Sequence, residues 1–525
     1  MAHSAHKLPP LIVRIPSPLC LKGHLHILER LRTDFRVCLQ HVHSPLQGFL
    51  GPVLEAPSLK ILIQAERTFR SHRDWLSSIE TPSESGIHCD ELEDSEEAPV
   101  VDLTANPQAH TSKATTCFAR FNGFWNCFDH VDPRPLFALE IHCLSAARQS
   151  EPAHFFEVRA DRTSPLRSLE RSIEILPFLF STALQRVQLH SPLSSKAQPD
   201  QTRRRLPGTL RMIARLIASW IRERRESDQA TWQLIATDGS LLDAIAERRT
   251  SSFIARPIAN PPNTALADPF FTLYQGAPLL LVESIPNGSH GQISSIVLQK
   301  HGEAPRITQV LRQSHHASFP FAFVHNQELY LLPEESASKR AALYTFAKDG
   351  DRWIHQRDLL SDFPAVDSVL LQHQGRWWLF STYGGDGMQE ANLCLFSSAD
   401  LLGPYEKCAC SPVRIGLGGA RNGGAPFTIK DATFRPSQDC RPRYGDRLII
   451  HRIAVLEQSH YDEEPWCELV LKDAGNPDIN YPCHTICAYE DQVLLDAKLP
   501  SSIGDLRLEL SPIETHGPIG NRARI

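Results

Sequence analysis

The chain has 525 residues, enough for about two to four domains of ordinary size. Its 54 basic and 60 acidic residues give a net charge of -6, which excludes a globally basic nucleic-acid-binding protein. Apolar residues make up 42% of the chain, so it can bury large cores and is not disordered as a whole. The 39 prolines, against 27 glycines, favour β architecture with many turns, because proline interrupts helices.

The 13 cysteines are scattered along the chain, a pattern that predicts reduced thiols rather than a disulfide framework. Cys408, Cys410, Cys483 and Cys487 lack the paired spacing and the neighbouring histidines of a zinc site. Walker and Gly-x-Gly-x-x-Gly motifs are absent from the sequence. We therefore predict no metal ion and no cofactor. The sequence also lacks a signal-peptide pattern and a long apolar run, so we expect a cytoplasmic location.

Residues 1–195 alternate strand-like and helix-like segments, which predicts an α/β domain with a mainly parallel sheet. Short apolar runs at 11–14, 59–63 and 99–103 are the predicted strands, and residues 27–39 read as a helix that passes into a strand. The acidic segment 80–97 is predicted to stay solvated, because its like charges repel one another.

Residues 196–232 are predicted to be a linker that carries a basic amphipathic helix. Its apolar side chains recur at helical spacing and arginines flank them. The apolar positions are Leu210, Ile213, Ile217, Trp220 and Ile221, and the basic ones are Arg211, Arg215, Arg222, Arg224 and Arg225. A helix of this kind either contacts a membrane surface or docks on its own protein. Residues 210–225 are thus a candidate membrane contact, and both alternatives remain open.

Residues 233–515 consist of short aromatic and β-branched runs separated by turn residues. The apolar runs that end near Val282, Leu332 and Phe380 recur about every 50 residues, the period of propeller blades. At this period the region holds about five blades, so we predict an all-β five-bladed propeller. A sandwich or a barrel explains the short strands but not the period.

Several of these repeats open with a similar signal. Acidic or aromatic-proline segments stand at 267–271, 318–323 and 365–370, and a glycine-rich segment stands at 418–427. The innermost strand of each blade lines the central funnel of a propeller. We therefore expect Asp268, Asp367 and Arg421 to converge on that funnel.

The motifs of residues 268–456 resemble the N-terminal part of plant glucosamine inositolphosphorylceramide transferases and their microbial relatives. The motifs, in order, are ADPF, SFPFAF, YLLPEES, VDSVLL, WWLFST, LLGPY, GGARNGGAPF and SQDC with YGDRL. The resemblance implies a five-bladed propeller similar to those of arabinanase- and xylosidase-type glycosidases. In the plant enzymes a separate glycosyltransferase domain follows the propeller, which implies a glycosyltransferase partner for this chain.

Residues 1–195 more faintly resemble the formyltransferase-type α/β domain that precedes the propeller in some microbial relatives. The resemblance rests on PVVDLT at 99–104 and FNGFWNCFD at 121–129. The His-x-Ser-Leu-Leu-Pro motif of active formyltransferases is absent, and Asp102 is the one partial match. The expected fold class is therefore a degenerate formyltransferase-like α/β domain followed by an all-β propeller.

Glycoside cleavage needs two carboxyl groups on either side of the glycosidic bond. The resemblance implies that Asp268 is the base, with Glu334 and Asp367 as the remaining acid/base residues, although the family order is Asp, Asp, Glu. Glu283, at the end of a predicted strand, is a further candidate carboxyl. In the alternative reading, Asp268 and Pro269 only shape a turn.

Six residues are predicted to bind substrate, and Glu283 is one of them. Arg421, between two glycine pairs, is suited to a phosphate, an acidic sugar or a catalytic carboxylate, or else pairs with a neighbouring blade. Asn422, Gln438 and Asp439 are predicted to complete a polar rim for sugar hydroxyls. His484 is expected either at the funnel or as a hydrogen-bonded core histidine.

Three functions follow from these residues. The leading hypothesis is a carbohydrate-active protein that binds or processes a glycan or glycoconjugate, by glycosyl hydrolysis or transfer, at the propeller funnel. The second is a non-catalytic glycan-binding or scaffold module that works with a glycosyltransferase. The third is a one-carbon transferase that uses the N-terminal domain.

Overall fold

The chain divides into two units, residues 1–224 with 519–525 and residues 225–518. A computed structural model describes residues 10–17, 19–43, 78–80, 100–103, 116–122, 136–144, 152–160, 164–188, 230–299, 303–347, 352–489, 491–500 and 503–514. The predicted strand at 59–63, most of the acidic segment 80–97 and the predicted helix at 210–225 lie outside these residues.

The described part of the first unit is a mixed sheet with two helices. Its elements are β1 (Pro10–Ser17), β2 (Leu19–Leu21), α1 (Lys22–Leu31), β3 (Arg36–His43), β4 (Ser78–Glu80), β5 (Val100–Asp102), β6 (Thr116–Asn122), β7 (Leu136–Leu144), β8 (Pro152–Arg159) and α2 (Pro165–Gln188). The sheet order is β3-β1-β5-β6-β7-β8, and β2 pairs separately with β4. Strands β3, β1, β5 and β6 run parallel, whereas β7 and β8 are antiparallel additions.

Helix α1 connects the parallel strands β1 and β3, and it buries Ile27, Leu28 and Leu31. Asp102, at the end of β5, is buried with its carboxylate 3.9 Å from Arg14 Nη1. Among the described residues, no helix is both long and apolar enough to cross a membrane. The formyltransferase-like character of this unit stays a prediction.

The second unit is almost entirely β structure in its described part. It begins with β9 (Ala230–Asp238), α3 (Ser240–Ala246) and β10 (Ser251–Pro257), and β9 starts inside the segment predicted as linker. Blade I contains β11 (Thr264–Tyr274), β12 (Ala277–Pro286), β13 (Gln292–Val297) and β14 (Arg306–Leu311). Blade II contains β15 (Ser318–His325), β16 (Glu328–Glu334), β17 (Arg340–Ala347) and β18 (Arg352–Ser361), with a 3₁₀ turn at Ser336–Ser338.

Blades III to V follow in chain order. Blade III contains β19 (Ala365–His373), β20 (Arg376–Tyr383), β21 (Asn392–Ser398), β22 (Glu406–Lys407) and β23 (Arg414–Ile415). Blade IV contains β24 (Gly418–Asn422), β25 (Phe427–Ile429), β26 (Ala432–Asp439), β27 (Arg447–Leu456), β28 (Tyr461–Asp473) and β29 (Asn480–Tyr481). Blade V contains β30 (Ile486–Tyr489), β31 (Gln492–Pro500), β9 and β10, and β32 (Leu506–Pro512) pairs with both β28 and β10.

The first strands of the five blades form a closed ring. Strand β11 contacts β15 and β30, and β19 contacts β15 and β24. The ring closes where the backbone N–H of Ile486 donates to the carbonyl of Gly423 at 2.9 Å. Blade V combines two strands from the start of this unit with two from its end, which ties the termini of the propeller together. The strand order is that of a five-bladed β-propeller, as predicted.

The first strands of blades I to IV share one irregularity. Each pairing breaks register near the start of the strand, between Ala267 and Phe270 in blade I and at matching places in the next three blades. A residue with positive φ lies in each break: Asp268 at 50°, Phe319 at 47°, Asp367 at 45° and Gly419 at 91°. Left-handed backbone is uncommon outside glycine, and such strain clusters at functional sites.

Candidate active site

Acidic side chains occupy one register position on the second strands of the blades. Glu283 lies opposite Ala267 in blade I, and Glu334 lies opposite Ser318 in blade II. Asp439 and Asp496 take comparable places in blades IV and V. All four acids are buried. Blade III has Thr382 opposite Val366, so its acid comes instead from the bulge residue, Asp367.

Two of these acids bind the bulge of the following blade. Asp496 accepts the backbone N–H of Asp268 at 2.8 Å, and Glu334 accepts that of Asp367 at 3.2 Å. The bulge of blade II differs, because the N–H of Phe319 donates to the Asp268 carboxylate at 3.1 Å. In blades I to III the bulge N–H is thus satisfied by a carboxylate, as a buried donor requires.

Asp268 is a buried carboxyl with three neighbouring donors. Besides Phe319, its Oδ1 accepts the Thr485 hydroxyl at 2.7 Å and lies 3.8 Å from His484 Nδ1. Burial raises the pKa of Asp268 to about 6, His484 opposes that shift, and the charges of Asp496 and Asp367 add to it.

His484 is held between a carboxylate and two aromatic rings. Its Nδ1 lies 2.7 and 2.8 Å from the two oxygens of Asp496, so this nitrogen is the donor. The ring stacks on Trp232 at 4.0 Å and meets the edge of Tyr444 at 5.4 Å. Burial alone lowers the pKa of His484, but Asp496 and Asp268 outweigh it and raise the pKa above the usual value. The histidine is therefore both hydrogen-bonded and next to Asp268, so both sequence alternatives describe it.

Asp268, His484 and Asp496 are also the group with metal-ligand character in the described part of the chain. Their ligand atoms lie within 4.8 Å of one another. The donors of Thr485 and His484 already occupy these carboxylates, which is the geometry of a hydrogen-bonded acid–histidine pair. A metal ion bound there would have to displace those hydrogen bonds.

Arg421 forms a two-pronged ion pair with Asp367. Its Nε lies 2.6 Å from Oδ2 and its Nη2 lies 3.3 Å from Oδ1 of Asp367, and Nη2 is 3.6 Å from Glu334. The guanidinium also packs over Tyr444 at 5.0 Å. Of the three ligands that the sequence suggested for Arg421, the structure shows a carboxylate of the protein itself. Burial raises the pKa of Asp367 to about 7, Arg421 opposes the shift and Glu334 adds to it.

The predicted polar rim of Asn422, Gln438 and Asp439 is buried. Asn422 donates to the backbone carbonyl of Asp367 at 2.8 Å, and Gln438 donates to the Asp367 carboxylate at 2.9 Å. Both amides thus hold Asp367 in position. Asp439 instead accepts two side-chain hydrogen bonds from Arg441, at 2.7 and 2.8 Å.

Glu283 is the acid with the fewest partners. It is 6% exposed, and within the described part of the molecule its Oε1 has no hydrogen-bond partner. His316 Nε2 lies 3.5 Å from Oε1. Burial raises the pKa of Glu283 well above its usual value, and the nearby carboxyls of Asp268 and Glu334 raise it further.

Sequence reasoning missed several residues of this cluster. Asp496 and Thr485 bind Asp268, and Trp232 stacks on His484 from a strand that begins before the predicted propeller boundary. For Asp496 and Thr485 the sequence signal was the His-Thr pair followed by an acid. That signal predicts contacts only when the register of the blade is known. His316, which is half exposed, also faces Glu283.

Cys408, Cys410, Cys483 and Cys487 are free thiols. Cys483 is buried, and Cys487 Sγ accepts the backbone N–H of Phe271 at 3.1 Å. These contacts are those of packed core thiols.

Residues 252–475 match the family model described as the N-terminal part of glucosamine inositolphosphorylceramide transferase 1, which confirms the resemblance predicted from the motifs. The rice (Oryza sativa subsp. japonica) protein of that name is 32% identical over 238 residues, covering 42% of this chain and 32% of the relative. The Arabidopsis thaliana protein is 30% identical over 227 residues, covering 40% of this chain and 30% of the relative. This chain therefore spans about a third of the length of these curated relatives.

Solved structures that resemble the chain include two glycoside hydrolases. One is a thermostable family-43 enzyme with a TM-score of 0.31 and 10% identity, covering 41% of this chain and 88% of that chain. The other is a family-117 enzyme of Zobellia galactanivorans with a TM-score of 0.33 and 10% identity, covering 50% and 90%. At these TM-scores neither likeness bears on function, and the propeller arrangement rests on the strand order itself.

Proposed function

We propose that this protein is carbohydrate-active and processes a glycan or glycoconjugate, by glycosyl hydrolysis or transfer, at the centre of its propeller. The observation that carries the proposal is the set of buried carboxyls which the blades bring together around the bulged first strands. Glycosyl transfer needs one carboxyl to hold a proton and another to accept one. The match to the N-terminal part of a glycosyl-transferring relative supports the substrate class.

In this proposal Asp268, Glu334 and Asp367 are the acid/base set. Asp268 is the base, because a carboxyl whose pKa lies near 6 is ionised at neutral pH yet still takes up a proton readily. Glu334 and Asp367 share Arg421, so one guanidinium orients both carboxyls. Arg421 acts through Asp367, and His484 acts through Asp268; both are positioning residues.

Substitution of Asp268 by asparagine tests the proposal. Asparagine keeps the size of the side chain but cannot take up the proton, so we expect turnover of glycosides or sugar donors to fall by at least about 10²-fold. Glycan binding, measured by calorimetry on the full chain, should persist. Turnover at the wild-type rate in Asp268→Asn would contradict the role of this residue.

A non-catalytic glycan-binding or scaffold module is the second candidate. One observation favours it: Asp367 is fully engaged by Arg421, Gln438 and Asn422, as in a structural ion pair. This candidate predicts glycan binding without turnover, and co-purification of a glycosyltransferase with the full chain. Turnover by the purified chain alone would exclude it.

We also propose that residues 1–195 form a degenerate formyltransferase-like domain, that residues 210–225 contact a membrane surface, and that the protein is cytoplasmic. The parallel strands β1, β3, β5 and β6, with buried Asp102 at the end of β5, support the first point. Binding of a folate or formyl donor would show that this domain is not degenerate. Equal binding of the full chain to anionic and neutral lipid vesicles would contradict the membrane contact.

A further inference from the structure

The buried acids of the second strands do not all make the same hydrogen bonds. Glu334 and Asp496 each accept the bulge N–H of the next blade. By its register, Glu283 should bind the bulge N–H of Phe319 in the same way. Asp268 already binds that N–H. Glu283 therefore does not accept the bulge N–H that its register position would lead us to expect.

Oε1 of Glu283 has no hydrogen-bond partner in the described structure, and a buried carboxyl with few donors is stable in its protonated form. Four acids influence Glu283, namely Asp268, Glu334, Asp367 and Asp496, and each resists a further negative charge. The ring of His316 also faces the carboxyl. Arg421 is turned to Asp367 and does not contact Glu283. The raised pKa of Glu283 has the same origin.

His316 fixes one side of this carboxyl. Its Nδ1 accepts the backbone N–H of Gly291 at 3.1 Å, so a neutral ring carries its proton on Nε2. Burial lowers the pKa of His316, which favours that neutral ring. Nε2 lies 3.5 Å from Glu283 Oε1, and the histidine side chain is 49% exposed. His316 therefore connects the buried carboxyl to solvent.

Gly291 keeps the space for this arrangement. A Cβ atom at residue 291 would collide with Glu283 Oε1 and would lie 2.7 Å from the His316 ring. Any larger residue there would displace the carboxyl or the ring.

We propose that Glu283 is the proton donor of the site, with the half-exposed ring of His316 beside its carboxyl. This inference rests on the proposed function. The Glu283 O–H gives its proton to the glycosidic oxygen as the bond from that oxygen to the anomeric carbon breaks. The leaving group departs as an alcohol, and Glu283 becomes a carboxylate. Water or an acceptor hydroxyl forms the new bond to the anomeric carbon, and its proton goes to Asp268.

The first experiment compares leaving groups in Glu283→Gln and wild-type protein. The probes are 4-nitrophenyl and methyl glycosides of the same sugar. A nitrophenolate leaves without protonation, whereas methanol does not. We expect Glu283→Gln to lose at least about 10²-fold on methyl glycosides, and several-fold or less on nitrophenyl glycosides. The basic limb of the pH profile should also disappear. An equal loss on both probes would overturn the proposal.

The second measurement does not depend on turnover. Infrared difference spectra of the full chain at neutral pH should show a protonated carboxyl band in wild type that Glu283→Gln lacks. Glu335→Gln is the matched control, since Glu335 is also buried in the next blade but has the Tyr344 hydroxyl as a donor, 3.0 Å from both of its carboxyl oxygens. Its spectrum should keep the band. If wild type shows the band but turns over no glycoside, the proposed function fails; if Glu283→Gln keeps the band, the protonation of Glu283 fails.

Discussion

Blades I and II place a glutamate at the same register position, and the two side chains have opposite surroundings. Glu334 of blade II accepts the backbone N–H of Asp367 and the hydroxyl of Ser336, and lies near Arg421. Glu283 of blade I has no such donor on Oε1 in the described structure. The difference comes from one residue, because Asp268 takes the donor that Glu283 would otherwise bind. Equivalent positions in the repeat thus differ in chemistry, because a neighbouring carboxylate can bind the donor that one of them would otherwise bind.

The largest loss of stability is expected at Glu463, a buried carboxylate that accepts hydrogen bonds from three side chains. Glu463 accepts hydrogen bonds from Arg435, Arg414 and Tyr461 at 2.6–2.8 Å. Glu463→Gln leaves the fully buried Arg435 without its counter-charge, so we expect a loss of about 3–5 kcal/mol in the free energy of unfolding. Urea denaturation measures it. Glu464→Gln, at the half-exposed neighbour, is the control and should change little.

A smaller loss of stability is expected at Glu334 of blade II, which accepts the bulge N–H of Asp367. Glu334→Gln keeps an acceptor for the Asp367 N–H but loses the charge beside Arg421. We expect the free energy of unfolding to fall by about 1–3 kcal/mol. Equal denaturation midpoints for Glu334→Gln and wild type would mean that this acid does not cap the bulge in solution.

Blade I should respond to the same substitution with an effect on stability that depends on pH. The pKa of Glu283 is raised in the folded state, so its contribution to stability is complete below its ordinary value of 4.5 and is lost as pH rises. Glu283→Gln lacks this loss. We expect the two proteins to differ little in stability at pH 4, and wild type to be the less stable one by about 1 kcal/mol at pH 8, because only wild type carries a titrating carboxyl at residue 283. A difference independent of pH would show that Glu283 has an ordinary pKa.

The smallest effect is expected at an exposed carboxylate. Glu247 pairs with Arg249 on the surface, and both side chains are more than half exposed. Glu247→Gln should change the free energy of unfolding by less than about 1 kcal/mol, because water screens the pair. A larger change would show that the stability effects of these Glu→Gln substitutions do not follow the burial and partners of each carboxyl.

The repeat made the fold predictable. Aromatic and acidic signals at 267, 318 and 365 lie at the starts of β11, β15 and β19, since each blade is built by local antiparallel pairing. The grouping of Arg421 with Asp367 followed from the same period. The acidic row on the second strands was only partly visible, because Glu283 and Glu334 could be named but their common register could not.

The partners of these acids were not predictable from local sequence. The contacts of Asp268 with Asp496 and Thr485 join residues 228 and 217 positions apart, and Trp232 reaches His484 from the other end of the propeller. Such contacts depend on which strands complete the last blade. No motif in either segment records that closure.

The sequence by itself determined the number of blades, the places where their first strands begin, and the acids that those strands carry. These features follow from periodic apolar runs and turn residues, which act over short distances along the chain. The tertiary structure alone decided which acid meets a donor and which remains without one. That choice depends on the orientation of one N–H in a bulge relative to two carboxyls from neighbouring strands, and only the closed ring sets that orientation.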